Sequence, residues 1–313
     1  MQPVRTIILP GGSGYLGRHL AAYFVNLGYQ VVILGRKPAS GTGSIREMEW
    51  DGRNLGPWAS AFDGAYAVVN LAGRSVNCRY TAKNKQEIYD SRLASTKVVG
   101  QAIAAAANPP AVWINSSSAT IYREALDRPM DEATGEIGSG FSVDVCQKWE
   151  KELADADTPR TRKIALRSAM VFGPGAGGVF AAFHRIVKLG LGGTLGPGDQ
   201  FVSWIHLQDF CRAVEFLIEC EKPECSGAVN LASPNPLPNR QFMRILRETS
   251  QVPIGLPATK WMLEIGAFFL RTETELLLKS RRVVPGKLLE AGFEFQFPEL
   301  HGAVEEIIQP ARA

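Results

Sequence analysis

The chain has 313 residues, of which 45 % are apolar and 21 % charged, with 34 Lys and Arg against 31 Asp and Glu and a net charge of +3. This balance excludes a disordered, fibrous or collagen-like chain, and the length suffices to bury a large core without disulfide or metal staples. No run of like charges and no basic stripe interleaved with aromatics is present, so no nucleic-acid partner is expected.

Thr6-Ile7-Ile8-Leu9 reads as a short strand that ends in the turn Pro10-Gly11-Gly12-Ser13-Gly14. Leu16, Leu20, Tyr23, Phe24 and Leu27 then follow at helical spacing, Gly28 sits where a helix-ending glycine belongs, and Tyr29–Leu34 reads as the next strand. A βαβ unit thus closes within about 30 residues, the expected size. Apolar runs at Ala67–Ala72, Ala111–Asn115 and Lys163–Arg167 repeat the rhythm, with helices predicted over about 83–107 and 142–156. Continuous apolar strands alternating with helices imply a parallel sheet covered on both faces, a doubly wound α/β Rossmann fold.

Beyond residue 172 the texture changes to glycine-rich segments at 173–178 and 190–198 and to scattered prolines. This predicts a nucleotide-binding domain over 1–172, rejoined by a strand and helix at about 200–221, and a smaller substrate-side region over 173–199 and 222–313. Leu256–Leu270 and Leu276–Leu278 look helical and suit a core or a homodimer surface. Leu300, Val304, Ile307 and Ile308 mark a terminal helix.

Five scattered cysteines, Cys78, Cys146, Cys211, Cys220 and Cys225, read as reduced thiols of a cytoplasmic chain. His19, His184, His206 and His301 form no metal-ligand spacing with them, so no metal is expected. The first residues lack the pattern of a signal peptide, and Trp261–Leu270 is far short of the roughly 20 apolar residues that cross a bilayer.

Gly11, Gly14 and Gly17, with Gly12, satisfy both G-x-x-G-x-x-G and G-x-G-x-x-G. Such a turn lets a pyrophosphate approach backbone N–H groups at a helix N-terminus, so Gly11, Gly12, Ser13, Gly14, Tyr15, Leu16 and Gly17 are the expected dinucleotide cradle. NAD-binding chains of this layout carry a carboxylate at the end of the second strand, where this sequence has Gly35-Arg36-Lys37. A guanidinium there favours a 2′-phosphate, which selects NADP(H) over NAD(H); the plainer reading of Arg36 and Lys37 is a solvated strand end. Asp51 is read either as a partner of the adenine amino group or as part of a surface turn at Asp51-Gly52.

These features resemble the extended short-chain dehydrogenase/reductases, the superfamily of nucleotide-sugar epimerases and dehydratases. The resemblance spans nearly the whole chain: the Gly11–Gly17 turn, Asn70-Leu71-Ala72-Gly73, Ser116-Ser117-Ser118 with Tyr122, Leu166-Arg167 before Phe172-Gly173, and Ser203-Trp204-Ile205-His206 with Asp209. Ser91-Arg92 with Thr96, Val145-Cys146 with Trp149-Glu150, and Gly196, Gly198 and Gln200 resemble habits of its atypical branch, the epimerase family proteins. The resemblance implies cofactor contacts at Leu71, Ala72, Gly73 and Arg167 and a small-molecule substrate near Arg74, Arg92, Cys146, Gln200, Trp204 and His206.

The superfamily's chemistry uses a Tyr acid/base, a Lys four residues later on the same helix face, and a Ser that hydrogen-bonds the reacting oxygen. Ser118 matches the Ser, but Ser142 stands at the Tyr position and Cys146 at the Lys position. Lys148 lies two positions on, about 200° around the helix, and does not substitute. Cofactor binding is therefore expected, and two functions remain open. One is an oxidoreductase or epimerase acting on a carbonyl or carbinol compound through Ser118. The other is a non-catalytic NADP(H)-dependent binding or regulatory protein. Cys146 is a candidate reactive thiol or a buried structural one.

Overall fold

In β1 (Thr6–Pro10) the side chains of Ile7 and Leu9 join one core cluster and Ile8 joins another, and all three are fully buried. A strand buried on both sides needs helices on both sides, which is how the rest of the chain is arranged. The structure, a computed structural model, describes residues 5–39, 43–258 and 279–309.

Seven strands form the main sheet in the order β10-β6-β5-β4-β1-β2-β3, every pair parallel. They are β1, β2 (Gln30–Gly35), β3 (Ile45–Glu49), β4 (Ala67–Asn70), β5 (Val112–Ser118), β6 (Arg162–Ser168) and β10 (Gly227–Leu231). One face is covered by α1 (Tyr15–Asn26) and α5 (Leu207–Glu219), whose Leu20, Phe24, Phe210, Val214 and Leu217 pack on Ile7, Leu9, Val31 and Ile33. The opposite face takes α2 (Ala82–Ala105) and α3 (Phe141–Asp155), with Val98, Val99, Ile103 and Leu153 against Ile8, Val32, Val68 and Trp113. The strand order reverses between β1 and β4, so the turns after these two strands flank the crevice where open α/β sheets take ligands.

A further core cluster holds α4 (Val179–Lys188), α6 (Asn239–Thr249) and α8 (Leu300–Ile308) together around Phe172, Trp204 and Phe242. The short pairs β7 (Met170–Phe172) with β9 (Trp204–His206), and β8 (Phe201–Val202) with β11 (Leu237–Pro238), tie it to the main sheet. The short helix α7 (Gly286–Ala291) sends Leu288 and Ala291 into the α1/α5 layer. Among the described residues no helix is long and apolar enough to cross a membrane.

Three expectations change. First, β10 lies in the segment assigned to the substrate-side region, yet it pairs with β6 from Gly227 to Leu231 as the seventh strand, so the nucleotide-binding sheet extends past residue 222. Second, residues 201–206 form two short strands outside the main sheet, while the helix after them packs on α1. Third, Cys220 and Cys225 are joined in a disulfide rather than reduced: the reversal between α5 and β10 places their Cα atoms 6.1 Å apart, within bridging range. The helical reading of Leu256–Leu270 and Leu276–Leu278 lies, beyond Ala258, outside the described residues.

Candidate cofactor and active site

The turn after β1 is built by the packing demands of the protein itself, except at one glycine. Gly11 has φ +73°, and a Cβ there would lie 2.6 Å from Ala72 Cα; a Cβ on Gly12 would meet Leu9 at 2.8 Å, and one on Gly17 would collide with the Gly12 backbone. These glycines let β1, α1 and the loop after β4 touch. Gly14 differs: its nearest neighbour to an added Cβ is 3.9 Å away, and it stands exposed at the N-cap of α1. No side chain caps this helix and no acidic residue lies in its first turn, which leaves its N–H groups and positive end open to an anion. The residues present therefore fit a pyrophosphate, with Ser13, Tyr15 and Leu16 supplying the adjoining backbone.

Tyr15 Oη donates to the Pro174 carbonyl at 2.8 Å, and a Cβ on Gly173 or Gly178 would lie 2.7 or 2.9 Å from the Tyr15 ring or hydroxyl. The glycine-rich segment after β7 is thus packed on the first turn of α1. Leu71 N–H donates to Pro10 O at 2.9 Å and Ala72 N–H to Asn70 Oδ1 at 3.1 Å, which lays Leu71, Ala72 and Gly73 beside the glycine turn. Arg36 and Lys37 are exposed at the carboxyl end of β2, with no ion pair among the described residues. Asp51 takes the surface-turn reading: its carboxylate accepts from Arg53 N, Asn54 N and Asn54 Nδ2, and these bonds lower its pKa to about 2.

Ser118 ends β5, half-buried. Its hydroxyl oxygen accepts from Thr120 N at 3.2 Å and from Thr120 Oγ1 at 3.0 Å, which fills both of its lone pairs. Thr120 Oγ1 also contacts Cys146 Sγ at 3.6 Å. With Thr120 engaging both acceptor positions of Ser118 Oγ, the Ser118 hydrogen is left as a donor with no acceptor among the described residues. Burial raises the Cys146 pKa, the opposite of what a reactive thiolate needs. Ser142 sits one turn before Cys146 in α3, and Lys148 pairs outward with Asp144 at 2.8 Å.

Below this site the residues of the three short motifs meet in one polar layer. Asn70 Nδ2 donates to Asn115 Oδ1 at 2.7 Å; Thr96 Oγ1 donates to the same oxygen at 3.2 Å and accepts from Trp149 Nε1 at 2.9 Å. This fixes the ends of β4 and β5 against α2 and α3. Arg167, assigned to the cofactor, is occupied otherwise: Nε and Nη2 grip Glu150 at 2.9 and 2.8 Å, and Nη1 donates to Tyr122 Oη at 2.8 Å. Ser117 Oγ also donates to Glu150, at 2.6 Å. Glu150, Thr96, Trp149 and Thr120 were absent from the sequence-derived site; all four stand in the stretches that carried the resemblance, Thr120 between Ser118 and Tyr122.

The substrate-side candidates divide. Trp204 is fully buried in the α4/α6/α8 cluster and donates Nε1 to Asn235 O at 3.2 Å. Gln200 is buried, bonded to Leu195 O and Gly198 N. His206 is buried too; its Nδ1 accepts from Gln208 N and its Nε2 meets Glu306 at 2.9 Å, and burial lowers its pKa. These three hold the C-terminal lobe rather than face the crevice, because their polar atoms are taken by loop backbone and α8. Arg74 pairs with Glu87 and Asn84. Arg92 remains beside Gly73, near Cys146, without a carboxylate among the described residues. A cleft of about 330 Å³ is lined in part by Tyr122, Arg123, Val143, Lys279 and Arg281.

Comparison with known proteins agrees with this layout. The model of the NAD dependent epimerase/dehydratase family matches residues 7–232, and that of a domain of unknown function (DUF1731) matches 258–307. Epimerase family protein SDR39U1 of Bos taurus is 31 % identical over 310 residues, covering 96 % of this chain and 99 % of the relative. Epimerase family protein YfhF of Bacillus subtilis is 29 % identical, with 96 % and 97 % covered. The crystal structure of human SDR39U1 (isoform 2) with NADPH superposes with a TM-score of 0.86 at 27 % identity, covering 97 % of this chain and 99 % of that one. The chain belongs to the NAD dependent epimerase/dehydratase family.

Proposed function

We propose that this protein is an NADP(H)-dependent oxidoreductase or epimerase acting on a carbonyl or carbinol compound. The observation that carries the reading is the uncapped N-terminus of α1 at the switch point, together with two exposed cations and no carboxylate at positions 36 and 37. The NADPH in the crystal structure of human SDR39U1 supports the same cofactor choice. Gly14 and its neighbours hold the pyrophosphate, and Arg36 and Lys37 hold the 2′-phosphate. A bound nicotinamide supplies or accepts hydride. Ser118 donates a hydrogen bond to the reacting oxygen, a direction set by Thr120 filling its acceptor sites. With Ser142 and Cys146 in place of Tyr and Lys, no phenol on α3 moves the proton, and a slow reaction follows, since a general acid or base contributes about 10²–10⁴ in rate.

That same replacement favours a second reading, a non-catalytic protein whose partner reads the bound NADP(H). Turnover of NADPH against sugar nucleotides, ketones and aldehydes separates the two. The enzyme reading expects hydride exchange that Ser118→Ala abolishes without loss of NADPH affinity. Tight NADPH binding with no exchange across the panel contradicts it and leaves the binding-protein reading.

A further inference from the structure

Three arginines stand around the candidate site, and their surroundings differ. Arg74 is neutralised by Glu87, and the Nε/Nη2 edge of Arg167 is filled by the carboxylate of Glu150. Arg92 is half-buried, and its Nη1 alone is engaged, donating to Arg74 O at 3.0 Å and Ile88 O at 3.2 Å. Its guanidinium lies over the Trp149 ring, 4.9 Å from the centroid, and its Cζ would be 3.3 Å from a Cβ on Gly73. Trp149 is itself held by its bond to Thr96, so the ring under the guanidinium is fixed. Its Nε/Nη2 edge carries two parallel N–H groups with no partner among the described residues. A charged fork with no acidic residue against it among the described residues is strongly disposed toward an anion, because burying it alone is costly. Arg167 shows within the same chain what such an edge takes: a carboxylate gripped by two bonds.

We propose that the Nε/Nη2 edge of Arg92 binds the carboxylate of the substrate, so that the carbonyl or carbinol compound taken by this site is an oxo or hydroxy acid. The assignment rests on the enzyme reading above and narrows it. Arg92 lies between the loop after β4 and α3, over Trp149 and within electrostatic reach of Cys146, whose Sγ contacts Thr120, the partner of Ser118; on this assignment the fork and the Ser118 hydroxyl serve one small ligand. With Cys146 standing at the lysine position of α3 and Lys148 turned to Asp144, Arg92 on α2 supplies a cation held in place beside the site.

The test uses the full chain loaded with NADP⁺, with oxalate as probe and its neutral isostere oxamide as control, followed by calorimetry. Wild type is expected to bind oxalate and not oxamide. Arg92→Ala is expected to weaken oxalate about tenfold or more, the loss of a charge-assisted pair of bonds, while Arg92→Lys keeps part of the affinity. NADPH affinity is measured in the same variants: weakening of NADPH by Arg92→Ala with oxalate binding intact assigns the fork to the cofactor and overturns the proposal. Equal binding of oxalate and oxamide, or no oxalate binding by wild type that binds NADPH, also overturns it. Should Arg92→Ala fail to fold, the oxalate and oxamide comparison and Arg92→Lys carry the test. Wild type that binds no NADPH sinks the cofactor reading instead, and the oxalate titration of the unloaded protein still decides the role of Arg92.

Discussion

Glu150 of α3 and Arg167 of β6 meet edge to edge, with Nε and Nη2 at 2.9 and 2.8 Å from the two carboxylate oxygens. Their side chains are only 16 % and 10 % exposed, so the pair works in a poorly solvated place. Removing one member leaves the other charged and buried, and Glu150→Ala or Arg167→Ala is expected to cost about 3–5 kcal/mol of stability. Replacing both by apolar residues, Glu150→Leu with Arg167→Met, is expected to cost much less. Urea denaturation of the four proteins checks this; single variants within about 1 kcal/mol of wild type would mean that the pair is solvated.

The glycines of the first turn divide into those the fold needs and the one the ligand needs. Gly17→Ala drives a Cβ into the Gly12 backbone and is expected to destabilise the fold outright. Gly14→Ala meets nothing within 3.9 Å and keeps an ordinary φ of −76°, so it is expected to cost about 1 kcal/mol or less, the loss of a helix N-cap glycine. In the proposed binding mode its new methyl group enters the space of the pyrophosphate, and NADPH affinity is expected to fall about tenfold or more. Thermal melts beside NADPH titrations decide the matter; Gly14→Ala with full NADPH affinity would place the cofactor elsewhere.

Two buried thiols set an alkaline limit. Burial pushes Cys211 up to about 12 and raises Cys146 as well. Both are neutral in the folded chain where the unfolded chain ionises, near pH 8.5. The stability they contribute is complete below that pH and is lost as pH rises through the interval up to the folded values. The urea midpoint of wild type is therefore expected to fall above about pH 8.5, and less steeply in Cys211→Ala. A midpoint whose slope against pH is the same in both proteins would contradict this account.

The sheet was legible where the chain is buried on both faces. β1, β2, β4, β5 and β6 are continuous apolar runs because helices cover both sides. β3 (Ile-Arg-Glu-Met-Glu) is half-exposed at one edge and carries no such run, and β10 at the other edge follows a segment of Pro, Glu and Cys that reads as loop. The glycine turn was legible because its demands are local. Which arginine is free was not: Arg74, Arg92 and Arg167 look alike in sequence, and only the partners brought by α2 and α3 distinguish them. Trp204, Gln200 and His206 likewise carried a motif whose work is to hold the C-terminal lobe.

The exposed cations after β2, Arg36 and Lys37, are proposed to read a 2′-phosphate. Titration with NADPH and NADH, followed by energy transfer from the six tryptophans to the reduced nicotinamide, tests it in wild type and Arg36→Ala. The account predicts NADPH preferred over NADH in wild type, with NADPH weakened about tenfold or more in the variant, a loss of roughly 1.4 kcal/mol, and NADH unchanged. Equal affinity for the two nucleotides, or binding of neither, would contradict it.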